Sequence, residues 1–181
     1  MSVNVFFMRV TLSLCLVLLS CGQEKSPPEV VRMNPPGEQS DLTDVEKEFS
    51  RLTVLAAKGD AKAQTSLAHK YALGKGVKKD MNEAVRWYRV AGNQGEPEAQ
   101  FNLGYMYYNG EGVERDYTKA VEWFRKSAAQ GNAGAQGNLG LMYDNGEGVA
   151  EDNKEALRLY HLGAKNGDMY SQFNLGCIYD S

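Results

Sequence analysis

Residues 99–131 read AQFNLGYMYYNGEGVERDYTKAVEWFRKSAAQG, and this stretch decides the fold of the chain. It contains two apolar helical patterns joined by a glycine-rich turn. The same arrangement stands before it and after it at a fixed step of 36 residues. The step is marked by the glycines Gly59, Gly95, Gly131 and Gly167, by the glutamines Gln64, Gln100, Gln136 and Gln172, and by the leucines Leu67, Leu103, Leu139 and Leu175. Self-similarity at such a period predicts a solenoid, in which each repeat buries its apolar face against its neighbours.

Each repeat is predicted to hold two helices. In the first helix, Ala99, Leu103 and Tyr107 recur at a spacing of four, which places them on one helix face. The second helix begins after Asp116 and has Ala120, Trp123 and Phe124 as its predicted buried side, with equivalents in the repeats on either side. We therefore predict an all-α fold, an α/α solenoid of helix–turn–helix repeats of 36 residues.

The boundaries follow from the same step. Residues 42–181 form the predicted solenoid, with repeats at 60–95, 96–131 and 132–167 and a partial repeat at 168–181. A cap helix at 43–58 precedes them, and it aligns with the second helix of a repeat. Thr43 and Glu46 have the spacing of a capping box, as do Asp80…Glu83 and Asp152…Glu155.

Glycines and other small residues recur inside the first helix of each repeat and in the turn that follows it. Gly104 follows Leu103, and we expect it to let the second helix approach closely, because glycine otherwise weakens a helix. Gly110 and Gly112 end the first helix and are predicted to adopt positive φ. A nucleotide-binding loop is the alternative interpretation of this G-x-G pattern. It requires a preceding strand, whereas here a helix precedes and the pattern recurs with the repeat.

Residues 1–20 are predicted to be a secretory signal. Arg9 supplies a positive charge, and residues 10–19 form an apolar run that is too short to span a bilayer but typical of a signal peptide. The run ends in Leu18-Leu19-Ser20-Cys21, which resembles the lipobox of bacterial lipoproteins. This resemblance implies lipidation at Cys21, with cleavage just before it. The alternative is ordinary cleavage near Ser20, which would leave Cys21 as a free thiol.

Residues 21–41 are predicted to be the lipidated cysteine followed by a disordered tether. Pro27, Pro28, Pro35 and Pro36 stand among polar and charged residues, and no apolar period is present. Such a segment buries too little surface to fold, and its prolines keep it extended. The alternative function is a proline-rich ligand for another domain.

Composition argues against several function classes. The formal net charge of −3 and the pI of about 5.5 disfavour a nucleic-acid binder. The chain has three cysteines and two histidines, and none stands in a metal-binding pattern, so we predict no metal, no cofactor and no catalytic residues. His161 falls where other repeats have Arg89 and Arg125, which predicts an exposed position. Cys177 is predicted to be a packed thiol, the alternative being a disulfide between two chains.

The motif Ala99-Gln100-Phe101-Asn102-Leu103-Gly104…Tyr107…Gly110-Glu111-Gly112-Val113…Asp116…Lys119-Ala120…Trp123-Phe124 resembles the Sel-1-like repeat family, relatives of the tetratricopeptide repeats. The resemblance covers about residues 61–179. It implies an α/α superhelix whose first helices line a concave surface. It also implies an adaptor or scaffold role, often in bacterial envelopes. One branch of the family carries a disulfide in each repeat, and this chain lacks those cysteines.

From this resemblance we predict an interaction scaffold, not an enzyme, that binds a peptide or protein partner and is held on a membrane by the lipid at Cys21. The alternative is an accessory or inhibitor protein of a cell-envelope enzyme. The expected location is the cell envelope, at the outer membrane facing the periplasm if the cell is Gram-negative. Self-association through the uncapped C-terminal edge is a further alternative. The tetratricopeptide-like arrangement places the following residues in the partner-binding groove: His69, Phe101, Asn102, Tyr105, Tyr108, Asn109, Asn138, Leu141, Asn145, Phe173 and Asn174. The alternative for the aromatic rings is packing between adjacent first helices.

Overall fold

The computed structural model describes residues 43–179. The signal, the tether and the lipidation site at Cys21 were predicted for residues outside this range. The described residues form eight helices and no strand, which confirms the all-α prediction. The helices are α1 (Asp44–Ala57), α2 (Ala61–Leu73), α3 (Met81–Asn93), α4 (Pro97–Asn109), α5 (Tyr117–Ala129), α6 (Ala133–Asn145), α7 (Asn153–Lys165) and α8 (Met169–Tyr179).

The helices pack in chain order, each against the next, as an α/α solenoid requires. The first helices of neighbouring repeats also contact one another, α4 with α6 and α6 with α8. The row of first helices therefore forms the more closely spaced side of the stack, which we call the concave side because the repeat resemblance predicts it to be concave. The core runs along the stack between first and second helices, with Leu103, Phe124 and Met142 completely or almost completely buried.

The helix ends show which capping predictions are correct. At α1, the Thr43 hydroxyl accepts from the Glu46 amide while the Glu46 carboxylate accepts from the Thr43 amide, so the capping box is present. Asp80, Asp116 and Asp152 likewise accept from amides of the first turn of α3, α5 and α7. The reciprocal half is absent at Glu83 and Glu155. Their carboxylates instead pair with Arg86 at 2.9 Å and Arg158 at 2.6 Å, one turn further on.

Gly104 stands where α4 and α5 approach most closely. A Cβ atom at this position would lie 2.5 Å from Cδ1 of Phe124, whose ring is fully buried. Gly140 stands in the same relation to Tyr160, at 2.9 Å. The predicted reason for a small residue after each core leucine is therefore confirmed in these two repeats.

The glycine-rich turns also behave as predicted. Gly110 and Gly112 have φ of 74° and 69°, in the left-handed region that favours glycine. A Cβ atom on Gly112 would lie 2.7 Å from the carbonyl oxygen of Met81, so the turn of the second repeat rests against the start of α3.

Two predictions about burial are corrected by the structure. Trp123 is only half-buried, because its ring reaches back toward Gly92 of the preceding second helix and one face stays open to the Lys126 ammonium, 4.2 Å from the ring centre. Cys177 is exposed instead of packed. It stands two residues after Leu175, in the same place as Tyr105 after Leu103, and this side of a first helix faces away from the second helix.

Candidate functional site

The concave side presents one solvent-facing row of side chains from each first helix. In α4 this row is Glu98, Asn102, Tyr105 and Asn109, spaced so that they share a helix face. Tyr105 is the most prominent of them and leaves 45% of its surface exposed. The equivalent places hold His69 in α2, Leu141 in α6 and Cys177 in α8. We call these four residues, His69, Tyr105, Leu141 and Cys177, the concave strip.

Phe101, a predicted groove residue, is engaged within the fold. It is half-buried, its ring centre lies 5.9 Å from that of Phe124, and a Cβ atom on Gly134 would lie 3.1 Å from the ring. It thus fills the junction of α4, α5 and α6, which was the alternative interpretation for this ring. Phe173, its equivalent in α8, is instead 69% exposed.

Tyr108 is likewise tied to the next repeat. Its hydroxyl donates to Oε2 of Glu147 at 3.0 Å, and its ring centre lies 5.3 Å from that of Tyr117. Burial, and then the Glu147 carboxylate, raise the pKa of the Tyr108 hydroxyl, so it stays a neutral donor at physiological pH. Tyr108 therefore joins α4 to the turn of the third repeat.

Two of the three asparagines in the predicted amide column turn their amino groups onto the helices that carry them. Asn102 donates to the Glu98 carbonyl at 2.8 Å and Asn138 to the Gly134 carbonyl at 2.8 Å. Asn109 donates to the Tyr105 carbonyl at 3.2 Å. Asn174 lies against the Tyr160 hydroxyl, and Asn145 is exposed at the end of α6.

A cleft of about 320 Å³ opens at the first repeat, beside the concave strip. It is lined by Thr65, Ser66, His69, Lys70, Lys75 and Glu98, so it brings the turn after α2 together with α2 itself and the start of α4. The imidazole Nδ1 of His69 lies 3.3 Å from the Tyr88 hydroxyl, which fixes the ring at the rim.

The four repeated glutamines mark the 36-residue step in the sequence, but the step alone predicts no role for them. Gln100 donates to the Gly92 carbonyl of α3 at 2.9 Å and accepts from the amide of Gln130, just after α5, at 2.8 Å. One buried side chain thus ties three helices together. The signal for it was a polar residue that recurs among buried positions. Gln64 and Gln136 repeat the arrangement, with Gln94 and Asn166 as their donors.

A second set of inter-repeat bonds joins each second helix to the following first helix. Arg89 donates to the Tyr107 hydroxyl at 3.1 Å, and Arg125 donates to the Tyr143 hydroxyl at 2.7 Å. His161 takes the same place, with Nε2 2.9 Å from the Tyr179 hydroxyl. The three positions are exposed, as predicted, and each also fixes a tyrosine of the next repeat.

Residues 43–179 contain no group of three or more His, Cys, Asp or Glu residues arranged to hold a metal ion. None of the helices in this range is long and apolar enough to cross a bilayer.

The model of the Sel1 repeat family matches residues 61–96, 97–132 and 133–168. Two solved structures are similar in sequence as well as fold. One is a protective antigen present in uropathogenic Escherichia coli strains, displaying an SLR fold. It is 40% identical with a TM-score of 0.70, and the match covers 72% of this chain and 28% of that chain. The other is a Sel1 repeat protein from Oxalobacter formigenes. It is 36% identical with a TM-score of 0.71, and the match covers 75% of this chain and 56% of that chain.

Helicobacter pylori cysteine rich protein B shares the fold at 18% identity, with a TM-score of 0.58 and coverage of 70% of this chain and 94% of that chain. A search of curated proteins gave no match. The chain thus spans about a quarter and about half the length of the two more similar structures.

Proposed function

Because the chain belongs to the Sel1 repeat family, we propose that it is a membrane-anchored scaffold that binds a protein or peptide partner on the concave side of its first helices. Sel1 repeats form a helical scaffold commonly used for protein–protein interaction. The observation that carries the proposal is the concave strip, where Tyr105 stands exposed between His69 and Leu141.

The strip has the properties of a contact surface. A tyrosine offers a large apolar ring with a polar tip and loses little conformational entropy on binding. The glutamine bonds tie together the helices beneath it, and no buried side-chain N or O within residues 43–179 lacks a hydrogen-bond partner. We propose an extended peptide or a partner helix as the ligand, with Tyr105 as its main anchor.

The anchor and the location belong to the same proposal. Lipid attachment at Cys21 would hold the chain on a membrane of the cell envelope, since a diacylglyceryl group supplies the two acyl chains that stable anchoring needs. The proline-rich residues 22–40 would then act as the spacer between membrane and solenoid.

Site-specific photo-crosslinking tests the binding surface in the cell. A benzoyl-phenylalanine replaces Tyr105 in one variant and Val90, which is exposed on α3, in the matched control. We expect crosslinked products from position 105 and none of the same mass from position 90. Equal products from both positions, or none from position 105, would contradict a concave binding site.

The identity of the crosslinked product separates the two candidate roles. A single cell-wall enzyme at fixed stoichiometry would favour the accessory or inhibitor role. Several different proteins would favour the adaptor.

A further inference from the structure

Charge is distributed unevenly along the repeats. Residues 60–95 contain seven Lys and Arg against three Asp and Glu, a formal net charge of +4. Residues 96–131 contain four Lys and Arg against six Asp and Glu, and residues 132–167 contain three Lys and Arg against five Asp and Glu. Each of these two repeats therefore has a formal net charge of −2. A shared fold does not require this asymmetry, because the three repeats have the same helices and all three second helices have an aspartate cap.

The turns account for most of the difference. Lys75, Lys78 and Lys79 occupy the turn after α2, and all three are exposed. The equivalent places in the next turn are Glu111, Glu114 and Arg115, and in the third they are Glu147, Ala150 and Glu151. The turns follow one another along one edge of the solenoid, so this edge is basic at the first repeat and acidic beyond it.

The basic turn is continuous with the concave side. Lys75 lines the first-repeat cleft together with Lys70 and His69. Lys70 occupies the place of the buried Met106 and Met142, yet it is only half-buried and keeps access to the cleft. Within residues 43–179, no carboxylate lies within ion-pair distance of any of these turn or cleft lysines. Glu98 is the one carboxylate among the residues lining the cleft, so the four lysines of the cleft and the turn outnumber it and keep the site net positive, which is complementary to an anionic ligand.

The surroundings restrict what that ligand can be. A flat anionic membrane or a long polyanion lying along this edge would meet the acidic turns of the second and third repeats, including Glu111 and Glu147. Adjacent packed helices lie about 8–10 Å apart, and an extended chain advances about 3.3–3.6 Å per residue. A basic region one to two helix spacings wide, about 8–20 Å, therefore matches about three to six residues of an extended chain.

We propose that the first-repeat cleft, with Lys70, Lys75, Lys78 and Lys79, binds a short acidic segment of a protein partner, so that the partner lies in the groove with its acidic end at the first repeat. This inference rests on the proposed function of the concave side as the partner-binding surface. It adds the chemical class of the bound segment and its direction along the groove.

Fluorescence anisotropy with labelled hexaglutamate tests the proposal on the purified full chain, with hexaglutamine as the neutral probe. We expect hexaglutamate to bind and hexaglutamine not to bind. The triple variant Lys75→Glu, Lys78→Glu, Lys79→Glu is expected to lose about tenfold or more in affinity. The matched control Lys58→Glu, Lys154→Glu, Lys165→Glu has the same net charge, changes exposed positions outside the cleft, and is expected to stay within twofold of the wild type.

A second triple variant, with glutamine at positions 75, 78 and 79, removes the charges without adding carboxylates. It replaces the glutamate variant in the test if the glutamate variant melts at a lower temperature than the wild type. Equal losses of hexaglutamate affinity in the variant at positions 75, 78 and 79 and in the control variant would overturn the proposal, because net charge alone would then explain binding. Tighter binding of phosphatidylglycerol vesicles or of a DNA duplex through the same lysines would also overturn it. If hexaglutamate does not bind, the proposal of an acidic segment is refuted. The proposed function of the groove is not affected by that result, because crosslinking from position 105 tests it independently.

Discussion

At the residue scale, the repeat step correctly predicts the environment of a residue that contacts a single neighbouring side chain. Gly104 was assigned to close helix contact, and the Phe124 ring beside it confirms this. The predicted packing of Cys177 is wrong, because Cys177 lies in the register of the exposed Tyr105. A first helix has three faces, of which one meets the second helix, one meets the next repeat and one meets solvent. The repeated spacing separates the first face from the others but does not tell the last two apart.

Gly104→Ala and Gly176→Ala form a matched pair of substitutions. At Gly104 the new methyl group collides with a fully buried ring, and overpacking of this kind costs about 1–3 kcal/mol. At Gly176 nothing lies within 4 Å, so alanine gains up to about 1 kcal/mol of helix propensity. Urea unfolding is expected to show a loss for the first variant and no loss for the second. Two variants of equal stability would refute the close-approach explanation.

Lipidation is also decided by one residue, Cys21, which remains a prediction from the Leu18-Leu19-Ser20-Cys21 sequence. Cells grown with labelled palmitate are expected to label the wild type and not Cys21→Ser, since the thiol is the acceptor. Cys177→Ser serves as the control and is expected to keep the label. Label in Cys21→Ser, or its absence from the wild type, would exclude the lipoprotein assignment.

At the element scale, the existence and order of the helices followed from apolar periodicity, whereas the bonds between helices did not. A hydrophobic pattern does not predict the contacts of Gln100, whose polar group is buried and hydrogen-bonded to α3 and to Gln130. Its role appears only when three helices are placed together. The same holds for Phe101 and Tyr108, which were assigned to the groove but contact the following repeat.

Gln100→Leu is expected to destabilise the fold by roughly 1–3 kcal/mol, because two hydrogen bonds of about 0.5–1.5 kcal/mol each are lost, one to the Gly92 carbonyl and one from the Gln130 amide, which keeps only its bond to the Gly95 carbonyl. Gln172→Leu is the control. Gln172 is exposed and donates to the Ala164 carbonyl at 3.3 Å, so its loss is expected to change the unfolding free energy by less than about 0.5 kcal/mol. Equal changes in urea unfolding would show that the glutamine bonds do not hold the repeats together.

At the scale of the whole molecule, the repeat step was sufficient to predict the solenoid, because each repeat contacts only its neighbours and the same local solution recurs. The same one-dimensional design makes stability depend on position along the stack. Helices α4 and α5 have packed neighbours on both sides, and Leu103 and Phe124 between them are fully buried. In α8, by contrast, Met169 and Phe173 are 76% and 69% exposed.

Amide hydrogen exchange on this chain is therefore expected to show the least protection in α8 and the most in α4 and α5, since local opening is easiest where little apolar surface is lost. Helix α1 is the control for an end effect. It also lies at one end of the described solenoid, but its capping box satisfies its first turn and Leu52 and Ala56 are buried against α2. Protection is expected to be higher in α1 than in α8. Uniform protection along the chain would mean that the repeats unfold as one cooperative unit and that the exposed face of α8 carries no local instability.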